Sequence, residues 1–315
     1  MAIAARVRNS QEGQSTVEWV GLVLFVCLLV AALVAAGVNL PAASLARSIA
    51  ARLVCAISLS DACANEPDLV AAYGEDLAAL VREHAPGIAY EKGMHALPVD
   101  FRSCRSSDCA DGDDEGVVVR SASGEPVAAF VHVLDCRAGA EPRPGGDCSG
   151  DRAGNLYLQY WTYYPDSATL RGVPVVGARG YHRDDWEGVQ FRIGPDGEVD
   201  ERASSHNGYN CELGPANWGS DAGIGPLRSV AEAVGARPHG GWCDASNWLF
   251  VSGGSHAGNV RGDVRDIGRI TPASRVQLIP LEPIAAGEEG PQPGFAISAP
   301  WLKAVWHDPE AEGTA

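Results

Sequence analysis

The chain has 315 residues, 46% of them hydrophobic, which is enough apolar material for one large core or two smaller ones. Its net charge of −16 repels phosphate backbones and excludes nucleic acid as a partner. The 37 glycines and 20 prolines favour strands and turns over long helices.

Residues 20–38 carry no charge and predict a membrane-spanning helix, set within 14–40. Trp19 marks its interface, Arg6 and Arg8 precede it, and no basic residue follows before Arg47. The positive-inside rule then places the N-terminus in the cytoplasm and everything after the span outside. The expected location is the cell membrane, single-pass, with an extracellular C-terminal domain. The alternative is a secretory signal cleaved near Ala35-Ala36-Gly37. Gly13-Gln14-Ser15-Thr16-Val17-Glu18 resembles the class III signal of type IV pilins and small tight-adherence pilins. That resemblance implies a leader over 1–13, cut after Gly13 by a prepilin peptidase, with Glu18 meeting the amino group of a neighbouring pilus subunit.

Of nine cysteines, Cys27 sits in the apolar run. The other eight are an even number in an exported context, which points to disulfides. Sequence neighbours suggest Cys55–Cys63, Cys104–Cys109 and Cys136–Cys148, leaving Cys211–Cys243. The pairing stays open at this point. A thiolate zinc site is the alternative, although no pair has the tight spacing of zinc knuckles.

Residues 41–84 read as a helical stalk. Within it, Leu69, Val70, Tyr73, Leu77, Leu80 and Val81 form one stripe of a helix over 67–84, ended by Pro86-Gly87. The acidic run 110–116 lacks calcium-loop spacing and reads as a solvated turn. Strands are expected at 117–119, 127–134, 155–164, 185–193, 198–206, 248–252 and 275–281, with turns at 123–126 and 194–197. Short strands separated by turns predict an antiparallel β-sandwich or barrel over 85–310 with peripheral helices, followed by a tail at 311–315.

Gly180-Tyr181-His182-Arg183-Asp184-Asp185-Trp186-Glu187 carries the densest chemistry. Period-two alternation puts Asp185 and Glu187 on one strand face, with His182 just before them. Paired carboxylates raise each other's cost, and a bound calcium, magnesium or manganese ion relieves it. The plainer reading is an acidic strand end facing solvent or paired with arginine. The segment resembles the GHRHDWE heptapeptide of the necrosis- and ethylene-inducing-like (NPP1) family. Asp184 stands where that family has its second histidine. Tyr164-Pro165-Asp166-Ser167 and Ser205-His206-Asn207-Gly208-Tyr209 resemble its flanking segments. The resemblance implies a β-sandwich holding a divalent cation, Ca²⁺ or Mg²⁺, through Asp166, His182, Asp185 and Glu187, with His206 nearby. Tyr160-Trp161, Asp185-Trp186-Glu187-Gly188-Val189 and Gly254-Ser255-His256-Ala257 also resemble segments of vacuolar protein sorting-associated protein 62-like proteins.

The leading expectation is a cation-dependent binding domain for glycan or lipid head groups, with Trp161, Trp186, His206 and Tyr209 lining the ligand pocket. A cation-assisted hydrolase using His182 or His206 as base is the enzymatic alternative. A minor pseudopilin or pilus-associated subunit is the structural one. No G-x-S-x-G elbow is present to support an α/β-hydrolase.

Overall fold

The computed structural model describes residues 66–140, 146–168, 181–205, 208–210, 241–262, 266–281 and 294–311. All lie in one compact unit, Ala51–Ala315. Two helices open it, α1 (Glu66–Tyr73) and α2 (Glu75–Glu83). The single helix expected over 67–84 is broken at Gly74, whose φ of 81° leaves the right-handed region at a position glycine tolerates. The predicted stripe still faces inward, with Leu69, Tyr73 and Val81 buried.

The strands follow in chain order: β1 (Gly87–Glu91), β2 (Gly116–Val117), β3 (Ala128–Asp135), β4 (Leu156–Ala168), β5 (Tyr181–Ile193) and β6 (Val199–Ser205). Then come β7 (Gly208–Asn210), β8 (Cys243–Asp244), β9 (Trp248–Val251), β10 (Gly258–Asn259), β11 (Ile267–Thr271) and β12 (Gln277–Pro280). Short helices α3 (Ser107–Ala110) and α4 (Ala304–His307) sit at the periphery. One sheet runs β10-β9-β1-β11-β2, and the other runs β12-β3-β4-β5-β6-β7 with β8 beside β6. The sandwich is mixed where a purely antiparallel one was expected: β1·β9, β11·β2 and β12·β3 are parallel.

Two aromatic strands, β4 and β5, form the centre of the large sheet, paired from Leu156↔Ile193 to Ala168↔Tyr181. Both faces of that sheet are covered. Val131, Leu158, Tyr160, Val189 and Phe191 pack with Ile88, Tyr90, Leu249 and Val251 of the other sheet. On the opposite face Phe130, Trp161, Tyr163 and Trp186 pack with Phe101, Trp301 and Trp306. Double coverage explains why β3 is buried at every residue rather than at alternate ones. Gly188 is required by this packing: a Cβ there would lie 2.9 Å from the buried Trp161 ring.

The disulfides Cys104–Cys109 and Cys136–Cys148 are formed. Cys243 is also disulfide-bonded; its expected partner Cys211, like Cys55 and Cys63, lies outside the described residues. The expected architecture needs one correction. Among the described residues no helix is long and apolar enough to cross a membrane. Among the described residues the fold is therefore mostly β with peripheral helices and no transmembrane element, and the single-pass membrane location is withdrawn with it. The residues proposed as span and leader, including Gly13 and Glu18, lie outside the described residues.

Candidate functional site

The end of β5 is held in shape by Asp184. Its φ of 56° is a left-handed conformation that aspartate enters more readily than most residues. Its buried carboxylate accepts hydrogen bonds from Tyr163 Oη at 2.6 Å, Arg105 Nη2 at 2.7 Å and the Ala296 amide at 2.9 Å. Burial pushes the Asp184 carboxyl up, but these donors outweigh it and hold the group below its ordinary range. Arg105 also lies over the Phe295 ring, 4.7 Å from its centroid. The Cys104–Cys109 loop, which carries Arg105, is thereby pinned to the start of β5.

The next residue turns to the opposite core. Asp185 Oδ2 accepts from His256 Nδ1 at 2.8 Å, and both side chains are nearly buried, at 7% and 4% exposure. The imidazole stacks on Tyr164 at 4.0 Å between centroids and 14° between planes. Tyr164 is the cross-strand neighbour of Asp185, so the β4–β5 register sets the stack. His256 lies in the loop joining β9 to β10, also at a left-handed φ, 55°. That loop is fastened from three elements. Glu91 Oε2 accepts from the Gly253 amide at 2.7 Å, Ser167 Oγ donates to Gly254 O at 3.1 Å, and Asn259 Nδ2 donates to Ala257 O at 3.3 Å.

Beside this pair, Glu187 is buried and accepts a short hydrogen bond from Ser204 Oγ. The same hydroxyl accepts from the Gly188 amide at 2.6 Å. Burial, then the charge of Asp185, pushes the Glu187 carboxyl well above its ordinary range, against the Ser204 hydroxyl and the Lys303 ammonium. Burial lowers the Lys303 ammonium, which donates to Trp186 O at 3.3 Å.

His256 also lines an open cleft of about 350 Å³. Its other walls include His95, Ser107, Asp111, Asp166, Ser167, Tyr181 and Gly254. Ser107 Oγ donates to Asp166 Oδ2 at 2.6 Å. The Tyr181 ring is 50% exposed. Its phenol is held above the ordinary range by burial and by the charge of Asp166.

The residues singled out by resemblance are thus divided. Asp166 belongs to the cleft. His182 Nδ1 lies against the carbonyls of Arg183 and Asp184, at 3.3 and 3.2 Å. Asp185 is engaged by His256 and Glu187 by Ser204. As placed, the four do not form one set of cation ligands, and among the described residues no three His, Cys, Asp or Glu side chains are grouped to hold a metal. Trp161, Trp186 and Tyr209, expected to line the pocket, are in the core at 1–2% exposure, because both faces of the large sheet are covered. His206 lies outside the described residues. His256 was not among the expected site residues. Its signal was the Gly254-Ser255-His256-Ala257 segment, whose partner no spacing rule could name.

No protein-family model matches the chain, and no curated protein matches it. Among solved structures, the chain is similar to NLPPya in complex with mannosamine, at 16% identity over 67% of this chain and 76% of that one, with a TM-score of 0.30. NLPPya in complex with glucosamine gives 16% identity, the same coverage and a TM-score of 0.31. The likeness to NLPPya, an NPP1-family protein, is distant and says nothing about this chain's ligand.

Proposed function

We propose that the chain is a binding module for the polar head group of a glycan or lipid, and that the head group enters the cleft beside His256. The cleft's composition supports this reading. Its volume suits one sugar or head group. Asp111 and Asp166 offer carboxylate oxygens that accept hydrogen bonds from hydroxyl or ammonium groups. Tyr181 offers a half-exposed ring for stacking at the rim. The costly buried Asp185–His256 pair is placed where it meets that space.

The test is a screen of the full chain against immobilised glycans and lipid vesicles, repeated with Asp166→Asn and Tyr181→Ala. Selective binding is expected, weakened about tenfold or more by Asp166→Asn through loss of a charged acceptor. No selective binding, or selective binding that neither substitution weakens, contradicts the reading.

One observation favours hydrolysis as a second reading. A carboxylate-held imidazole on a cleft wall is the arrangement of an oriented general base. In that case His256 is the base, in place of His182 or His206. Turnover of phosphodiester or glycoside substrates would be abolished by His256→Gln and kept by His182→Ala. Loss of turnover in His182→Ala, with activity kept in His256→Gln, would reverse the assignment.

A further inference from the structure

We infer that the ligand of this cleft carries a positively charged ammonium group. The inference rests on reading the cleft as the binding site and names the chemistry it selects.

The charges on its walls are of one sign. Asp111 and Asp166 line the cleft, and among the described residues no lysine or arginine does. Among the described residues neither carboxylate forms a close ion pair: Asp166 meets the hydroxyls of Ser107 and Tyr181, and the exposed Asp111 feels only the more distant charge of Arg269. Two carboxylates facing one space raise each other's energy, and a cation between them relieves it. A neutral polyol does not supply that relief, and a phosphate or carboxylate ligand would add to the repulsion. The acidic character extends outward through Asp113, Asp114 and Glu115, which continue the chain from Asp111, so the approach to the cleft is also attractive to cations.

An independent observation comes from His256, whose side chain is only 4% exposed. Its Nδ1 meets Asp185, and a carboxylate can only accept, so Nδ1 donates, which leaves Nε2 of this tautomer as an acceptor. Nε2 has no partner among the described residues, although the ring lines the cleft. This atom faces the open cleft, where a ligand N–H or O–H can donate to it. The acceptors and the two charges therefore ask for the same occupant, a donor-bearing cation. Among the described residues no three ligating side chains are grouped around one point, and an ammonium group needs no such convergence. The Tyr181 ring at the rim adds a face that attracts ammonium and is indifferent to a neutral alcohol.

The test is calorimetric titration of the full chain with choline, with ethanolamine, and with the neutral alcohol in which a quaternary carbon replaces choline's nitrogen. Vesicles of phosphatidylcholine, phosphatidylethanolamine and phosphatidylglycerol, run in parallel, distinguish a lipid head group from a free amine. At least one ammonium probe is expected to bind about tenfold or more tightly than the neutral alcohol, with binding weakened by added salt. Asp111→Asn and Asp166→Asn are each expected to lower that affinity about tenfold. Tyr181→Phe should keep it and Tyr181→Leu lower it. Thermal unfolding of each variant separates loss of binding from loss of fold. Equal binding of the neutral alcohol, or selective binding of neutral glycans alone that Asp166→Asn weakens, overturns the ammonium inference and leaves the binding cleft standing. Absence of binding by amines, glycans and vesicles alike overturns both.

Discussion

Replacing Asp184 by alanine is expected to lower the stability of the sandwich by about 3–5 kcal/mol, the range for removing one partner of a buried ion pair. The carboxylate serves Tyr163, Arg105 and the Ala296 amide together, and its removal leaves each without its acceptor. Part of the loss is the guanidinium: Arg105 is more than two-thirds covered and, among the described residues, keeps the Phe295 ring, the Tyr163 hydroxyl and a long contact to Gly294 O. Asp184→Asn should cost much less. Asparagine tolerates the left-handed φ and keeps one acceptor oxygen, which serves Tyr163 or the Ala296 amide but not both, since these use different oxygens of the carboxylate. Asp184→Gly removes the carboxylate at a backbone conformation glycine adopts freely, so it isolates the side-chain contribution from strain. Denaturant unfolding of the three variants checks the order Asn, then Gly, then Ala, from mildest to most severe. An alanine variant within about 1 kcal/mol of the parent contradicts the assignment of Asp184 as the anchor of this corner.

A second large effect is expected in the pH dependence of stability, from Glu201 of β6. Its Oε2 accepts from the Ser246 and Asn247 amides at 2.6 and 3.1 Å, while Oε1 is buried without a partner. Burial pushes this carboxyl from 4.5 up to about 7, against the pull of those hydrogen bonds. The sign follows from proton binding. Between those two values the folded chain keeps the proton that the unfolded chain has released, so stability falls as pH rises through the interval. It is highest below the lower value and levels off above the higher one. The difference amounts to about 3 kcal/mol. Glu201→Gln keeps an acceptor for the two amides and has no charge to bury. The variant should therefore be more stable than the parent near neutral pH and above, and its stability should fall less between about pH 4.5 and 7. Glu187 contributes a slope of the same sign in both chains. Parallel stability profiles for parent and variant would show that Glu201 does not titrate as its burial requires.

Several features of this fold were legible in the sequence because they depend on neighbours in the chain. The aromatic run 155–164 and the alternating run 185–193 became β4 and β5, and the glycine turn at 194–197 joined β5 to β6. The two short cysteine loops closed as their spacing suggested. Other features depend on contacts between distant segments, and periodicity does not report those. β1 and β11 are five-residue strands of mixed character, recognisable only by pairing with each other across nearly the whole domain. The parallel pairs are likewise set by topology.

The site shows the same division. Asp185 and Glu187 stood out from spacing, but the groups that engage them, His256 and Ser204, come from other strands or loops. Trp161 and Trp186 resembled a sugar platform in the sequence because an aromatic strand reads the same whether its face is open or covered. Here Phe101, Phe295 and Trp301 cover that face. Tyr181 appeared in the sequence only as part of the segment that begins at Gly180. In the fold it is the aromatic side chain at the rim of the cleft.

The central claim, that the cleft beside His256 is the ligand site, is tested most directly by NMR titration of a chain with labelled histidine and tyrosine rings. The ligands are those that score in the glycan and vesicle screen. Saturable shifts of the His256, His95 and Tyr181 ring signals are expected, with Tyr209 and His132, buried in the core, unmoved. Saturable binding that leaves all three cleft rings unchanged would place the ligand elsewhere and contradict it.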